Sequence, residues 1–308
     1  MRALRWTTGG ALVLTYGLIV LGAWVRATGS GLSCPDWPTC YGHWLPLPGD
    51  IPADVGYSYA QVMLEWAHRL IAGVILGPSI LVIGLLAWQA RRERPRMPAY
   101  AGALIVLLLF QAGLGGLTVL DQNSPWSVAL HLGTALVLLS VLCLIFERTG
   151  RAPHPVAAAA RALSGVVWLI ALGAMVSAAM VAKTGAALAC STTWPLCDGA
   201  LVPDLGDAQI RLHFTHRLLA LGTGLGVLAL AVAARGQPEL RPLAWLALAL
   251  VAVEIGLGAV VVLGEVPFGT ALAHQALGVL IFAILSAIMW RAHGRASDRE
   301  IAHGLSHA

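Results

Sequence analysis

The chain has 308 residues, 58% of them hydrophobic and 11% charged, with a formal net charge of +4 and a mean hydropathy of +0.79. So few charges exclude an ordinary water-soluble domain and point to a polytopic membrane protein. The small basic excess does not signal nucleic-acid binding, because its arginines lie where membrane topology places them.

A helix needs roughly 20 apolar residues to cross the hydrocarbon core. Eight segments meet this in chain order: 9–27, 66–89, 100–120, 126–147, 159–182, 213–234, 241–264 and 269–291. They are apolar all round, which favours helices over the alternating strands of a barrel. The first follows Arg2 and Arg5 and imitates a signal peptide. Its apolar run is long and no small-residue cleavage site follows, so a retained helix is expected.

Eight spans put both termini on one side. That side carries Arg2 and Arg5, then Arg91, Arg92, Arg94 and Arg96, then Arg148, Arg151 and Arg161, then Arg235 and Arg241, then Arg291, Arg295 and Arg299. The other side keeps Arg26, Arg69, Lys183, Arg211 and Arg217. The positive-inside rule then predicts a bacterial inner-membrane protein with cytoplasmic termini and two long outer loops, about 28–65 and 183–212. Those loops hold Cys34 with Cys40 and Cys190 with Cys197, and an oxidising outer face predicts two short disulfides. Five and six residues separate the cysteines, not the two of a thioredoxin-like motif. Loop staples and a redox relay both remain as readings. Cys143 sits within a span and is read as packing.

The chain repeats itself. Thr28-Gly29 matches Thr184-Gly185, Trp37-Pro38 matches Trp194-Pro195, and His68-Arg69-Leu70 matches His216-Arg217-Leu218. Gly113-Leu114-Gly115 matches Gly256-Leu257-Gly258, and His131 matches His274. Four spans per half give both halves one orientation, and so a pseudo-two-fold axis along the membrane normal. The predicted fold is all-α: eight transmembrane helices as two tandem four-helix bundles, residues 1–150 and 151–308, each able to hold a cofactor between facing helices.

His68, His131, His216 and His274 open their spans near the outer surface. Ionisable groups at membrane depth are costly and usually functional. Two facing histidines supply both axial ligands of a haem iron, so two haems, one per half, are expected. A lone interfacial histidine bonded to water is an ordinary feature, but four in matched pairs at one depth are not. A bare two-histidine zinc site would be incomplete. Gly113, Gly115, Gly116, Gly256 and Gly258 clear space either for a flat ring or for plain helix packing.

Glu65 lies one turn before His68, where the second half has His213. A carboxylate beside one site alone suits an acid, a base or a stabiliser of developing positive charge. An interfacial glutamate paired with Arg69 or water is the plainer reading, and His213 is read as tuning the second site. Arg69 and Arg217 suit either haem propionates or loop acids. Glu254 stands where the first half has Gln111, with an open role. His43, His154, His293, His303 and His307 have no counterpart in the repeat and receive no assignment.

Together, CPDWPTC from Cys34 to Cys40, EWAHR from Glu65 to Arg69, His131, FTHR from Phe214 to Arg217, and His274 resemble haem A synthase, of the bacterial type with outer-loop cysteine pairs. The resemblance implies an oxidoreductase that converts haem O to haem A for terminal oxidases. The C8 methyl would become a formyl through a hydroxymethyl and its hydrated aldehyde. It implies a substrate haem between His68 and His131, a haem b between His216 and His274, and Glu65 as the catalytic residue. It also implies Cys34–Cys40 and Cys190–Cys197 as the family's loop pairs. The bilayer is one implied partner. A haem O farnesyltransferase and a quinone or other electron acceptor are further candidates. A bis-histidine iron has no open position, so electron removal followed by water attack competes with oxygen activation as the route. Two other classes stand as alternatives: a dihaem b-type cytochrome for electron transfer, and a membrane thiol oxidoreductase in which the cysteines act.

Overall fold

The computed structural model describes residues 1–150 and 155–294. Arg151, Arg295 and Arg299, counted toward the terminus side, lie outside the described residues, as do His154, His303 and His307. Among the described residues the chain is helical, with two isolated bridges in the long loops. All eight predicted spans are present: α1 (Arg2–Ala27), α2 (Tyr59–Arg92), α3 (Met97–Leu120), α4 (Pro125–Arg148), α5 (Ala158–Thr184), α6 (Ala208–Ala233), α7 (Arg241–Leu263) and α8 (Phe268–Ala292). Each is long and apolar enough to cross a membrane, and the chain is a multi-pass membrane protein. Large apolar side chains such as Leu109, Phe110, Leu225 and Val253 point outward, as the lipid-facing surface of such a bundle requires.

The helix ends follow local chemistry. Pro98, Pro125 and Pro242 occupy first-turn positions, where a missing N–H costs nothing. Ser58, Ser124 and Asp207 cap α2, α4 and α6 through their side-chain oxygens, each satisfying an otherwise unpaired N–H of the first turn. Gly185 ends α5 at φ 75°, a left-handed value that a side chain would resist.

Three spans begin well before their apolar runs, α1 at Arg2 among them. α2 starts at Tyr59 and α6 at Ala208, so both carry polar first turns above the apolar stretch. His68 and His216 therefore sit two or three turns inside their helices rather than opening them. α2 differs from α6 in one further way: Ile71–Leu76 is a π-helical turn, just before Pro78. Proline has no N–H to offer the carbonyl four residues back, and the wider turn accommodates that loss. The second half has Gly226 at this place and stays α-helical.

In the first half α1 packs on α2 and α4, α2 on α3, and α3 on α4. In the second half α5 packs on α6 and α8, α6 on α7, and α7 on α8. Each set thus forms a ring, with its second and fourth spans standing diagonally across from one another. The rings meet where α1 and α4 face α5 and α8. Phe282 lies in the larger core cluster at this junction, beside Trp168. On the terminus side Arg291 of α8 clamps Glu147 of α4 with both carboxylate oxygens, at 2.8 and 3.0 Å.

Candidate functional site

The two long loops repeat each other in backbone as well as sequence. Cys34–Cys40 and Cys190–Cys197 are disulfide-bonded. Trp37-Pro38 and Trp194-Pro195 are both cis. Tyr41-Gly42 and Asp198-Gly199 both take positive φ, and the bridges Cys40 with His43 and Cys197 with Ala200 correspond. Each loop folds back over the loop-side end of its own ring, above the histidines. Trp37 reaches down onto α3, where a Cβ at Gly116 would come within 3.2 Å of its ring.

The arginines after the histidines hold these loops down. Arg69 donates to the carbonyls of Asp36, Thr39 and Cys34. Arg217 donates to those of Pro195, Leu196 and Thr193. Their hydrogen-bond partners in the loops are backbone carbonyls rather than loop acids. A guanidinium with five donors in a fixed fork gathers several carbonyls at once, which explains an arginine at this place in both halves.

Glu65 is 5% exposed. Its Oε1 pairs with Arg69 at 2.5 Å, while Oε2 accepts from the Ser33 hydroxyl and the Cys34 N–H, both at 3.0 Å. The plainer reading, a pairing with Arg69, is thus present, but in a buried setting that also ties the carboxylate to the disulfide loop. His213 fills the same place in the second half, 3% exposed, and accepts from Arg217 Nε at 3.1 Å. One arginine scaffold therefore holds an acid in one half and an imidazole in the other.

His68 and His131 lie on diagonal helices of the first ring, near enough to interact across it. His216 and His274 do the same in the second. Flanking glycines seat three of the rings. A Cβ at Gly22 would lie 3.2 Å from His68 Cε1, one at Gly115 would lie 3.3 Å from His131 Cε1, and one at Gly258 would lie 3.2 Å from His274 Cε1. Gly113 and Gly256 face open space. Gly115 and Gly258 thus give way to an imidazole of the neighbouring helix, a use the sequence did not suggest, and the exposed Gly113 and Gly256 speak for neither sequence reading. His68 Nδ1 and His274 Nδ1 are both buried without a hydrogen-bond partner. Two imidazoles per ring make a donor set that suits a group bringing four ligands of its own. Iron porphyrin is such a group, and the residues present fit it.

The family of cytochrome oxidase assembly proteins, COX15-CtaA, matches residues 5–286 of this chain. The chain belongs to that family. Several relatives in it carry the name Heme A synthase. That of Shewanella oneidensis is 28% identical over 330 residues, covering 93% of this chain and 97% of its own length. That of Symbiobacterium thermophilum is 30% identical, with 94% and 95% covered, and that of Shouchella clausii is 31% identical, with 87% and 90% covered. The family match spans both rings of this COX15-CtaA chain.

One contrast between its loops is testable by pH. Asp36 accepts from the Thr39 hydroxyl and from the N–H groups of Tyr41 at 2.6 Å and Gly42 at 3.0 Å. Burial acts to raise its carboxyl pKa, but these bonds outweigh burial and hold it below the ordinary 3.8. A depressed value means stability present above the ordinary carboxylate range and lost as the pH falls through the folded value. The second loop has Thr193 at this place, accepting from Asp198 N–H at 2.9 Å, and lacks that titration. As the pH falls below the ordinary 3.8, amide exchange corrected for intrinsic rate should quicken in 36–42 relative to 193–199. Equal quickening in both loops would show that Asp36 does not govern it.

Proposed function

We propose that this chain is a haem A synthase, an oxidoreductase that takes haem O as substrate and gives haem A. The observation that carries this reading is two diagonal pairs of imidazoles, one with the Glu65 carboxylate a turn before its first histidine where the other has His213, in a chain whose relatives named Heme A synthase match it over about nine-tenths of its length. On this reading residues 1–150 hold the substrate between His68 and His131, and residues 151–308 hold a haem b between His216 and His274. The two rings are then related by a pseudo-two-fold axis along the membrane normal. The mirrored packing of α1 on α8 and of α4 on α5 supports that relation. The arginine distribution supports cytoplasmic termini in a bacterial inner membrane, with the disulfide loops outside.

The second-half haem, when bound, carries single electrons. The chain's own groups do the rest. Converting a methyl carbon to a hydroxymethyl with water as the oxygen source releases two protons and two electrons. A second such step gives the hydrated aldehyde. Glu65 stands one helical turn from His68, and its carboxylate is the group placed to take those protons or to offset positive charge developing on the macrocycle. Arg69, Ser33 and Cys34 fix its orientation, which a residue acting on one methyl group requires. The Trp37 loop and its disulfide cover the site and limit bulk water. Haem O would arrive from a farnesyltransferase, and the electrons would leave to a quinone or another acceptor.

The test is pigment extraction from cells that lack haem A, make haem O and express this chain. Haem A should appear on reversed-phase chromatography. Accumulated haem O, alongside purified protein carrying two low-spin haems, would instead mark an electron carrier.

A further inference from the structure

The two halves differ in what stands behind their histidines. In the second half His216 Nδ1 lies 3.1 Å from the Ala174 carbonyl oxygen and 3.1 Å from Ser177 Oγ. A carbonyl can only accept, so the proton sits on Nδ1 and Nε2 keeps its lone pair. His274 Nδ1 lies 3.1 Å from Glu254 Oε1. The pair is at contact distance, and neither His274 Nδ1 nor Glu254 Oε2 has any other partner. In the first half His68 Nδ1 has no partner. His131 faces the Gln111 amide, whose Nε2 lies 3.2 Å and 3.3 Å from the two ring nitrogens. Nε2 also donates to the His131 carbonyl at 3.0 Å, which fixes the amide with its N–H groups toward the ring.

Gln111 and Glu254 occupy one position of the repeat. The exchange is matched by a second one: Gly278 stands where the first half has Ala135. A Cβ at Gly278 would lie 2.9 Å from Glu254 Oε1, so the glycine makes the room the carboxylate occupies. An amide N–H aimed at an imidazole nitrogen competes for the lone pair that a metal needs. A carboxylate accepts the Nδ1 proton, turns the other nitrogen toward the metal and increases its basicity.

We propose that Glu254 is a positioning residue of the second half: its carboxylate accepts the Nδ1–H of His274, holds Nε2 toward the iron and stabilises the ferric state, while Gln111 leaves the first half without this support. The second half thereby retains its haem at a lower potential, and the first half binds through ligands that release. This rests on the haem reading above.

The experiment is redox titration of the purified protein in detergent, followed by haem transfer to excess apomyoglobin. Glu254→Gln should shift the ferric–ferrous equilibrium of the retained haem about tenfold toward ferrous, about 59 mV for one electron, and speed its loss about tenfold or more. An unchanged midpoint and unchanged loss in a folded variant would overturn the proposal. Should that variant not fold, Gln111→Glu with Ala135→Gly, loaded with haemin, supplies the reciprocal test. The first-half midpoint should then fall, and a constant one would overturn the proposal equally. The parent reading fails differently: the wild type would show no bis-histidine spectrum with haemin, or His274→Ala would keep both.

Discussion

Replacing Glu65 by glutamine should lower haem A formation by about 10²- to 10⁴-fold, the range that a positioned acid or base contributes, while leaving the second-half haem in place. Glutamine keeps the shape and can still accept from Ser33 and Cys34, which lie at 3.0 Å from Oε2. What it removes is the second carboxylate oxygen and the charge opposite Arg69. The measurement is the rate of haem O consumption by purified variant, beside its haem content and visible spectrum. A rate within tenfold of wild type, with the fold intact, would remove Glu65 from the chemistry and leave it as a tie for the loop. The same change at the equivalent place, His213→Gln, touches a residue that accepts from Arg217 without carrying a negative charge and should alter the second-half haem rather than abolish conversion. The contrast separates a reacting half from a carrying half, which loss of activity at Glu65 alone would not do.

Much of this site is legible in the sequence because its signals are local or repeated. The eight spans are long apolar runs, and each became a helix. The loop cysteines are near neighbours in sequence, so their pairing needed no tertiary information. The equivalence of Glu65 with His213 followed from alignment of the halves. The polar first turns of α2 and α6 were missed because an apolar window cannot register Tyr59–Glu65 as helix. The Ser58 cap followed by Gln61 is the signal that marks its start. The π turn at Ile71–Leu76 follows from Pro78 but has no periodicity of its own. Which spans stand diagonally is set by packing between distant segments, and nothing in the order of the chain reveals it. The same holds for the outer partners of the ligands. Arg69 could be placed on a face but not matched to the carbonyls of Cys34, Asp36 and Thr39. Glu254 stood out as the counterpart of Gln111, yet only its 3.1 Å approach to His274 connects it with the site.

Arg69→Ala should be the most destabilising single change at the loop-side face, at about 3–5 kcal/mol, because it strands a buried carboxylate without its counter-charge. The side chains of Arg69 and Glu65 are 13% and 6% exposed, so water cannot take over the lost partner. The three loop carbonyls that Arg69 gathers lose their donor at the same time, and the Cys34–Cys40 loop loses its anchor to α2. Arg217→Ala removes a similar set of carbonyl bonds, but the group it leaves is the imidazole of His213. A histidine can stay neutral, so no charge is stranded and the cost should be clearly smaller. Unfolding in detergent, followed by helical signal with the disulfides intact, compares the two directly. Pairing Arg69→Ala with Glu65→Gln should recover part of the loss, since the second change removes the stranded charge. Equal costs for the two arginines, or no recovery in the double variant, would mean that loop anchoring outweighs the ion pair. Glu65 would then owe its position to the Ser33 and Cys34 donors instead.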